Sequence, residues 1–221
     1  MLKADLPVLR ADLHVHTDCS GDCLMAVDKI IAAGLKKGVN CIAVTDHNTV
    51  EGAFLLQKKA PFRVVIGEEI RTSEGEIIGY FLQDEIKSGM APEETVAEIK
   101  KQGGLVCVPH PFDRLRRSKL SADALYRIID QVDLLEVFNS RNVFAADNAL
   151  ALRLAIERGI PMTAGSDAHW PGEIGSSYVE MGDFNGAEDF CRVIAGARRI
   201  TGKSGILVHV GTKLVKWKIL R

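Results

Sequence analysis

The chain predicts an α/β fold in which a mostly parallel sheet is covered by helices, and three observations carry that expectation. Short apolar runs alternate with segments of helical period along the 221 residues. Most of those runs end in His, Asp, Glu or Asn rather than in random surface residues. No stretch rich in Pro, Gly or Ser divides the chain, and no internal repeat is evident. The strand count is about seven, which suits a closed or nearly closed barrel better than a small open sheet, although periodicity alone does not separate the two.

The elements follow in order. Ala11–Thr17 reads as the first strand, and Met25–Lys37 as a helix stopped by Gly38-Val39-Asn40. Cys41–Thr45 is a buried strand, and Val50–Lys59 a short helix ended by Pro61. Val64–Ile66 leads into a hairpin that turns at Glu74-Gly75 and returns along Ile77–Leu82. Pro92–Gln102 is a helix with proline at its start and Gly103-Gly104 at its end. Leu105–Val108, Leu134–Phe138 and Met162–Ala164 complete the strands, separated by helices at Ala122–Ile129 and Ala145–Arg158. Residues 1–197 read as one domain, with the more basic segment 198–221 a short appendage packed on it.

Composition narrows the function. A hydrophobic share of 47% and a charged share of 26% describe an ordinary globular chain. The formal charge of −1 provides no overall field to draw in nucleic acid, so anion recognition needs a local patch. Met1–Pro7 lacks the apolar run of a signal peptide, and no stretch approaches the roughly 18 apolar residues of a membrane span. The five cysteines form an odd set and read as reduced thiols of a cytoplasmic protein. Cys19 and Cys23 lie beside the first histidine motif, but without a second pair they are a weak zinc signal.

The chemistry gathers where strands end. His14/His16, Asp46/His47, Glu68/Glu69, His110, Asn139 and Asp167/His169 each follow an apolar run, which is where parallel α/β folds carry their working residues. Side chains two apart on a strand share a face, so His14 and His16 can form a metal clamp; taken alone they can equally be core histidines. Asp167 and His169 repeat that spacing, and Pro109 and Pro111 restrict the backbone around His110. A glutamate ending the Ile66–Ile70 run can bridge two cations. His209 stands outside this pattern and reads as structural or surface.

His14-Val15-His16-Thr17, Thr45-Asp46-His47-Asn48-Thr49, Gly67-Glu68-Glu69-Ile70, Pro109-His110-Pro111 and Gly165-Ser166-Asp167-Ala168-His169 resemble, in this order, the successive motifs of the polymerase and histidinol phosphatase (PHP) family. The resemblance spans about residues 11–182 and implies a distorted seven-stranded (β/α)7 barrel with two or three divalent metals at the strand carboxyl ends. It implies that His14, His16, Glu69 and Asp167 hold one metal, that Glu69 and His110 share a second, and that His47, His169 and Asp22 hold a third, with Asp18 the alternative to Asp22. Many relatives carry a histidine in the hairpin where this chain has Glu76. As a ligand, that oxygen donor would favour Mn²⁺ or Fe²⁺ over Zn²⁺.

Such a cluster suits phosphoester hydrolysis: in-line attack by a metal-bound hydroxide on a phosphomonoester or the end of a short oligonucleotide, with Asp167 or His169 assisting proton movement. Arg114, Arg116 and Arg117 follow the His110 motif and offer phosphate contacts, and Asn139 and Arg141 can reach a second phosphate or a ribose. Arg198, Arg199 and Lys203 are a weaker phosphate candidate. The connection from Glu76 to His110 is short, implying an open site and favouring a nucleotide-like substrate or short single-stranded nucleic acid. Alternatives are an amidohydrolase-type C–N hydrolase and a non-catalytic, metal-stabilised binding module.

Overall fold

The computed structural model describes residues 8–204 together with Val215. Its first seven strands are the expected ones: β1 (Leu9–Val15), β2 (Cys41–Val44), β3 (Arg63–Thr72), β4 (Gly75–Tyr80), β5 (Leu105–Val108), β6 (Leu134–Asn139) and β7 (Met162–Gly165). Helices α1 (Val27–Lys37), α2 (Glu51–Lys59), α3 (Pro92–Lys101), α4 (Ala122–Ile128) and α5 (Ala145–Arg158) lie between them. Three elements were not foreseen, β8 (Tyr178–Met181), α6 (Gly186–Ile194) and β9 (Arg198–Ile200). β8 and β9 are short, and the exposed Arg198 and Arg199 give β9 no apolar signature.

The sheet runs β7-β6-β5-β4-β3-β2-β1-β8-β9. Four neighbouring pairs, β1–β2, β2–β3, β5–β6 and β6–β7, are parallel. β4 is antiparallel to both neighbours because a tight turn, with no helix, joins it to β3. Gly75 makes that turn possible: its φ is +129°, and a Cβ there would lie 2.4 Å from the Leu120 Cα.

Closure is uneven. The amino-terminal half of β1 pairs antiparallel with β8 through Leu9↔Met181, Arg10↔Glu180 and Ala11↔Val179. Its carboxyl end meets the segment after β7 instead, where the His16 N–H donates to the Ala168 carbonyl at 3.0 Å. The result is a nearly closed, distorted barrel whose tight end carries the β1 and β7 motifs. Of the segment expected to be an appendage, residues 198–200 extend the sheet from β8; beyond residue 204 it lies, apart from Val215, outside the described residues.

Two apolar layers follow from strand alternation. Leu9, Ala11, Cys41, Ala43, Val65, Ile78, Tyr80, Leu105, Cys107, Leu134 and Ala164 fill the barrel, and Phe184, Phe190 and Ile194 around α6 plug its lower end. Ile42, Val44, Ile66, Ile70, Val106, Val108 and Leu135 face outward into the helices. Inward positions nearest the strand carboxyl ends carry His14, Glu69, Glu136 and Asn139, buried polar side chains that need partners.

Candidate metal centre

β1 and the loop after it bring His14 and His16 into this mouth with ring centroids 5.2 Å apart. His47 follows β2, Glu69 and Glu76 face each other's neighbourhood from the β3–β4 hairpin, His110 follows β5, and Asp167 and His169 follow β7. Glu69 is the hub. Its carboxylate lies 3.6 Å from both His14 Nε2 and His16 Nε2, 3.1 Å from His47 Nδ1 and 2.9 Å from His110 Nε2. Asp167 Oδ1 lies 3.7 Å from His14 Nε2 and 3.4 Å from His16 Nε2. Asp22 stands between His47 Nε2 and His169 Nε2, 3.4 Å from each, whereas Asp18 is exposed.

Donor atoms converge in overlapping groups: His14, His16 and Glu69; His14, His110 and Asp167; His47, Glu69 and Glu76; and His16, Asp22, His47 and His169. Nearly all are buried, and His14 Nε2, His16 Nε2, His110 Nδ1, Glu69 Oε2, Glu76 Oε2 and Asp167 Oδ1 have no hydrogen-bond partner among the described residues. Unpaired buried polar atoms are costly, and a group of neutral nitrogen and anionic oxygen donors sharing one pocket is what a divalent cation satisfies. The residues present fit that role. Two sit on left-handed backbone, His110 at φ +31° and Asp167 at φ +54°, a strained arrangement that a functional site tolerates and an ordinary loop avoids.

Charge coupling in the pocket is strong. Burial alone would lower the His47 pKa, but Glu69 and Asp22 outweigh it and raise it to about 9. Burial works against His14 too, and Glu136, Asp167 and Glu69 overcome it to lift its pKa well above the ordinary value. His16 goes the other way, to about 3, because burial is joined by repulsion from His169. Despite burial, the surrounding cations hold Glu69 and Asp167 well below the usual carboxylate range. Burial beside Glu69 raises Glu76.

The five residues expected to meet substrate separate. Arg116 is at the centre, its Nη2 donating to Asp167 Oδ2 at 2.5 Å. Arg114 is half exposed, pairs with Asp147 and stacks on Phe144 with its guanidinium carbon 4.7 Å from the ring centroid; Arg117 is exposed. Arg141 is a correction. It is buried, and its Nε and Nη2 make a two-pronged bond to Glu173 at 2.9 and 2.7 Å, because folding brings that carboxylate under it. Glu173 in turn accepts the His169 N–H, so Arg141 supports the site from beneath. Asn139 is likewise buried, donating to Glu136 and to Asp167 Oδ2 instead of facing a ligand. Among the weaker candidates, Arg198 pairs with Glu180, and Lys203 donates to the Val143 carbonyl. Cys23 Sγ contacts the His16 and His169 carbonyls, and no donor group among the described residues includes a cysteine. His209 lies outside the described residues.

Sequence reading missed Glu136, whose Oε1 lies 2.9 Å from His14 Nδ1. The available signal was a lone carboxylate at an inward position of an otherwise apolar strand, Leu134–Phe138. It also missed Asp12, which accepts the N–H groups of Ser166 and Gly175 and ties β1 to the loops after β7.

Comparison with known proteins shows the family and the fold. Residues 12–143 match the model of the PHP domain, and residues 145–198 match a model described as PHP-associated. The uncharacterized protein MJ1587 of Methanocaldococcus jannaschii is 39% identical over 162 residues, covering 67% of this chain and 92% of that one. A crystallised two-domain protein of Bacteroides vulgatus containing a predicted PHP-like metal-dependent phosphoesterase superposes with a TM-score of 0.70 at 18% identity, over 90% of this chain and 67% of that one. Endonuclease Q, solved with a 27-mer duplex bearing an abasic lesion at the active site, superposes with a TM-score of 0.62 at 16% identity, over 87% of this chain and 58% of that one.

Proposed function

Because the chain belongs to the PHP domain family, we propose that it is a metal-dependent phosphoesterase acting on a phosphomonoester or on the end of a short oligonucleotide. The observation that carries this reading is the convergence on one pocket of buried donor atoms lacking partners among the described residues, with the Arg116 guanidinium bonded to one of its carboxylates, Asp167.

In this reading, which follows the family resemblance, His14, His16, Glu69 and Asp167 would hold one divalent ion, Glu69, Glu76 and His110 a second, and His47, His169 and Asp22 a third; the convergent donor groups themselves join Glu76 to His47 and Glu69, and His110 to His14 and Asp167. Ions held there supply Lewis acidity toward water and toward phosphate oxygens. The protein supplies the rest. Asp167 and His169 are the groups we assign to proton movement, and the 2.9 Å contact from His169 Nδ1 to the Asp167 carbonyl orients that imidazole. Arg116 offers a planar, permanently charged fork to a phosphate, and the exposed Arg117 lies beside it in sequence.

Mn²⁺, Fe²⁺ and Zn²⁺ all suit this mixed donor set, the oxygen of Glu76 leaning toward the first two. Between Glu76 and His110 the chain contains only the rest of β4, a loop, α3 and β5. No inserted subdomain covers the mouth there, which favours a nucleotide-like substrate. Endonuclease Q, which shares the fold, takes a DNA duplex with an abasic lesion at its active site, which is consistent with a nucleic-acid substrate. A neutral amide would gain nothing from Arg116, so C–N hydrolysis is the alternative to exclude.

The test is a panel of phosphoesters, nucleoside 3′,5′-bisphosphates, single-stranded oligonucleotides and amides, assayed with each of the three metals. Phosphoester turnover that disappears together with metal content in a His14→Ala/His16→Ala double variant is expected. Amide turnover alone, or hydrolysis undiminished in the double variant, would overturn the reading.

A further inference from the structure

We propose that Glu136 is the positioning carboxylate of the metal centre: it presents His14 to metal through Nε2 and ties that orientation to His110 and Asp167. The inference rests on the proposal above that these histidines hold metal, and it assigns a role to a residue outside the proposed ligand set.

Glu136 is buried on β6, on the inward face that also carries Leu134. An ionised carboxylate buried among apolar groups is expensive unless it is fully hydrogen-bonded, and this one is. Oε1 lies 2.9 Å from His14 Nδ1, while Oε2 accepts the His110 backbone N–H at 2.7 Å and Asn139 Nδ2 at 3.0 Å. A carboxylate only accepts, so the proton of the His14 ring is held at Nδ1. When metal displaces the ring's second proton, the lone pair is left on Nε2, the atom directed toward Glu69 and Asp167. The same residue braces the left-handed backbone of His110. Through Asn139, whose Nδ2 also donates to Asp167 Oδ2 at 3.2 Å, it reaches a third proposed ligand. One carboxylate thus coordinates the positions of groups delivered by β1, β5 and the loop after β7.

The hydrogen-bond pattern makes the isosteric Glu136→Gln variant decisive. The His110 N–H is a fixed donor, and the Asn139 amide is fixed because its Oδ1 accepts the Arg141 N–H at 2.9 Å. Both donors claim the position of Oε2, so the glutamine oxygen must lie there and its NH2 group must face His14 Nδ1. A donor at that point moves the ring proton to Nε2, the nitrogen required by the metal. A purely space-filling role for Glu136 predicts no such effect, since the shape is unchanged.

Zn²⁺ titration of wild type and Glu136→Gln by calorimetry tests this, alongside the metal-free melting midpoint of each. Affinity reduced on the order of 10–100-fold, with a midpoint lowered by only a few degrees, is expected; affinity equal to wild type overturns the proposal. Should the variant fail to fold, ¹⁵N-histidine NMR of Zn²⁺-loaded wild type decides: a proton on His14 Nδ1 supports the role, and a proton on Nε2 with metal at Nδ1 refutes it. Wild type that binds no Zn²⁺ overturns both this inference and the metal reading. Tight Zn²⁺ binding lost in Glu136→Gln supports the inference even where no phosphoester is hydrolysed, in which case only the proposed activity falls.

Discussion

Replacing Gly52 with alanine is expected to destabilise the protein, although glycine inside a helix is ordinarily the weaker choice by about 1 kcal/mol. Gly52 is the second residue of α2, and a Cβ there would lie 2.1 Å from Asp46 Oδ2 and 2.2 Å from Thr17 Oγ1. Those two atoms are themselves joined by a 2.6 Å hydrogen bond, and Asp46 Oδ1 accepts the Thr17 N–H at 2.6 Å. Thr17 and Asp46 are fully buried, so neither side chain has open space to retreat into. At least one charge-assisted bond must break, which costs about 1.5–3 kcal/mol, and forcing a methyl group into filled space adds about 1–3 kcal/mol. After subtracting the helix gain, a net loss of about 1.5–5 kcal/mol remains, or on the order of 10 °C in melting midpoint for a chain of this size. Thr17 adjoins His16 and Asp46 adjoins His47, so the same wedge spreads two strand ends that carry imidazoles, and Zn²⁺ affinity should fall with stability. Chelator-treated Gly52→Ala and wild type compared by urea and thermal denaturation decide the matter. A variant as stable as wild type, or more so, would show that the Thr17–Asp46 lock has room to move and would refute the reasoning.

Two further outcomes are expected. Arg116→Ala should raise KM for phosphorylated substrates about 10-fold or more, the value of a charged hydrogen bond, without lowering Zn²⁺ affinity, since the lost guanidinium had been bonded to Asp167; steady-state kinetics and calorimetry read these separately, and an unchanged KM would make the basic loop mere surface. The second concerns pH in the chelator-treated protein. His47 has its folded pKa raised from 6.5 to about 9 against the pull of burial by Glu69 and Asp22, so its stabilisation is complete below about pH 6.5 and is lost as pH climbs through 9. His14 shifts in the same direction. The metal-free melting midpoint should therefore fall between pH 6.5 and 9, and a flat profile across that window would contradict the charged cluster described above.

What could be read from the chain was whatever depends on near neighbours. The alternation of apolar runs and helical segments named β1 to β7 because strand and helix periods are local properties. The two-residue spacing of His14 and His16, the proline-flanked His110 and the Asp167/His169 pair announced a shared pocket, since in parallel α/β architecture strand ends gather at one rim. Asp22 was preferred over Asp18, and it is Asp22 that meets His47 and His169.

Tertiary structure alone decided how charged groups are divided among partners. Arg116 and Arg141 are equivalent by type and by position after a strand, yet one reaches Asp167 at the mouth and the other is locked to Glu173 beneath it. Glu136 looked like any strand glutamate until the barrel curled it under His14, 122 residues away in the chain. β8 and β9 are too short to carry a period; β8 pairs with the open edge of the lower half of β1, and β9 pairs in turn with β8. The physical reason is common to all three: an ion pair, a hydrogen bond or an edge pairing depends on which distant group lands within about 3 Å, and that distance is set by barrel closure, not by the residues on either side.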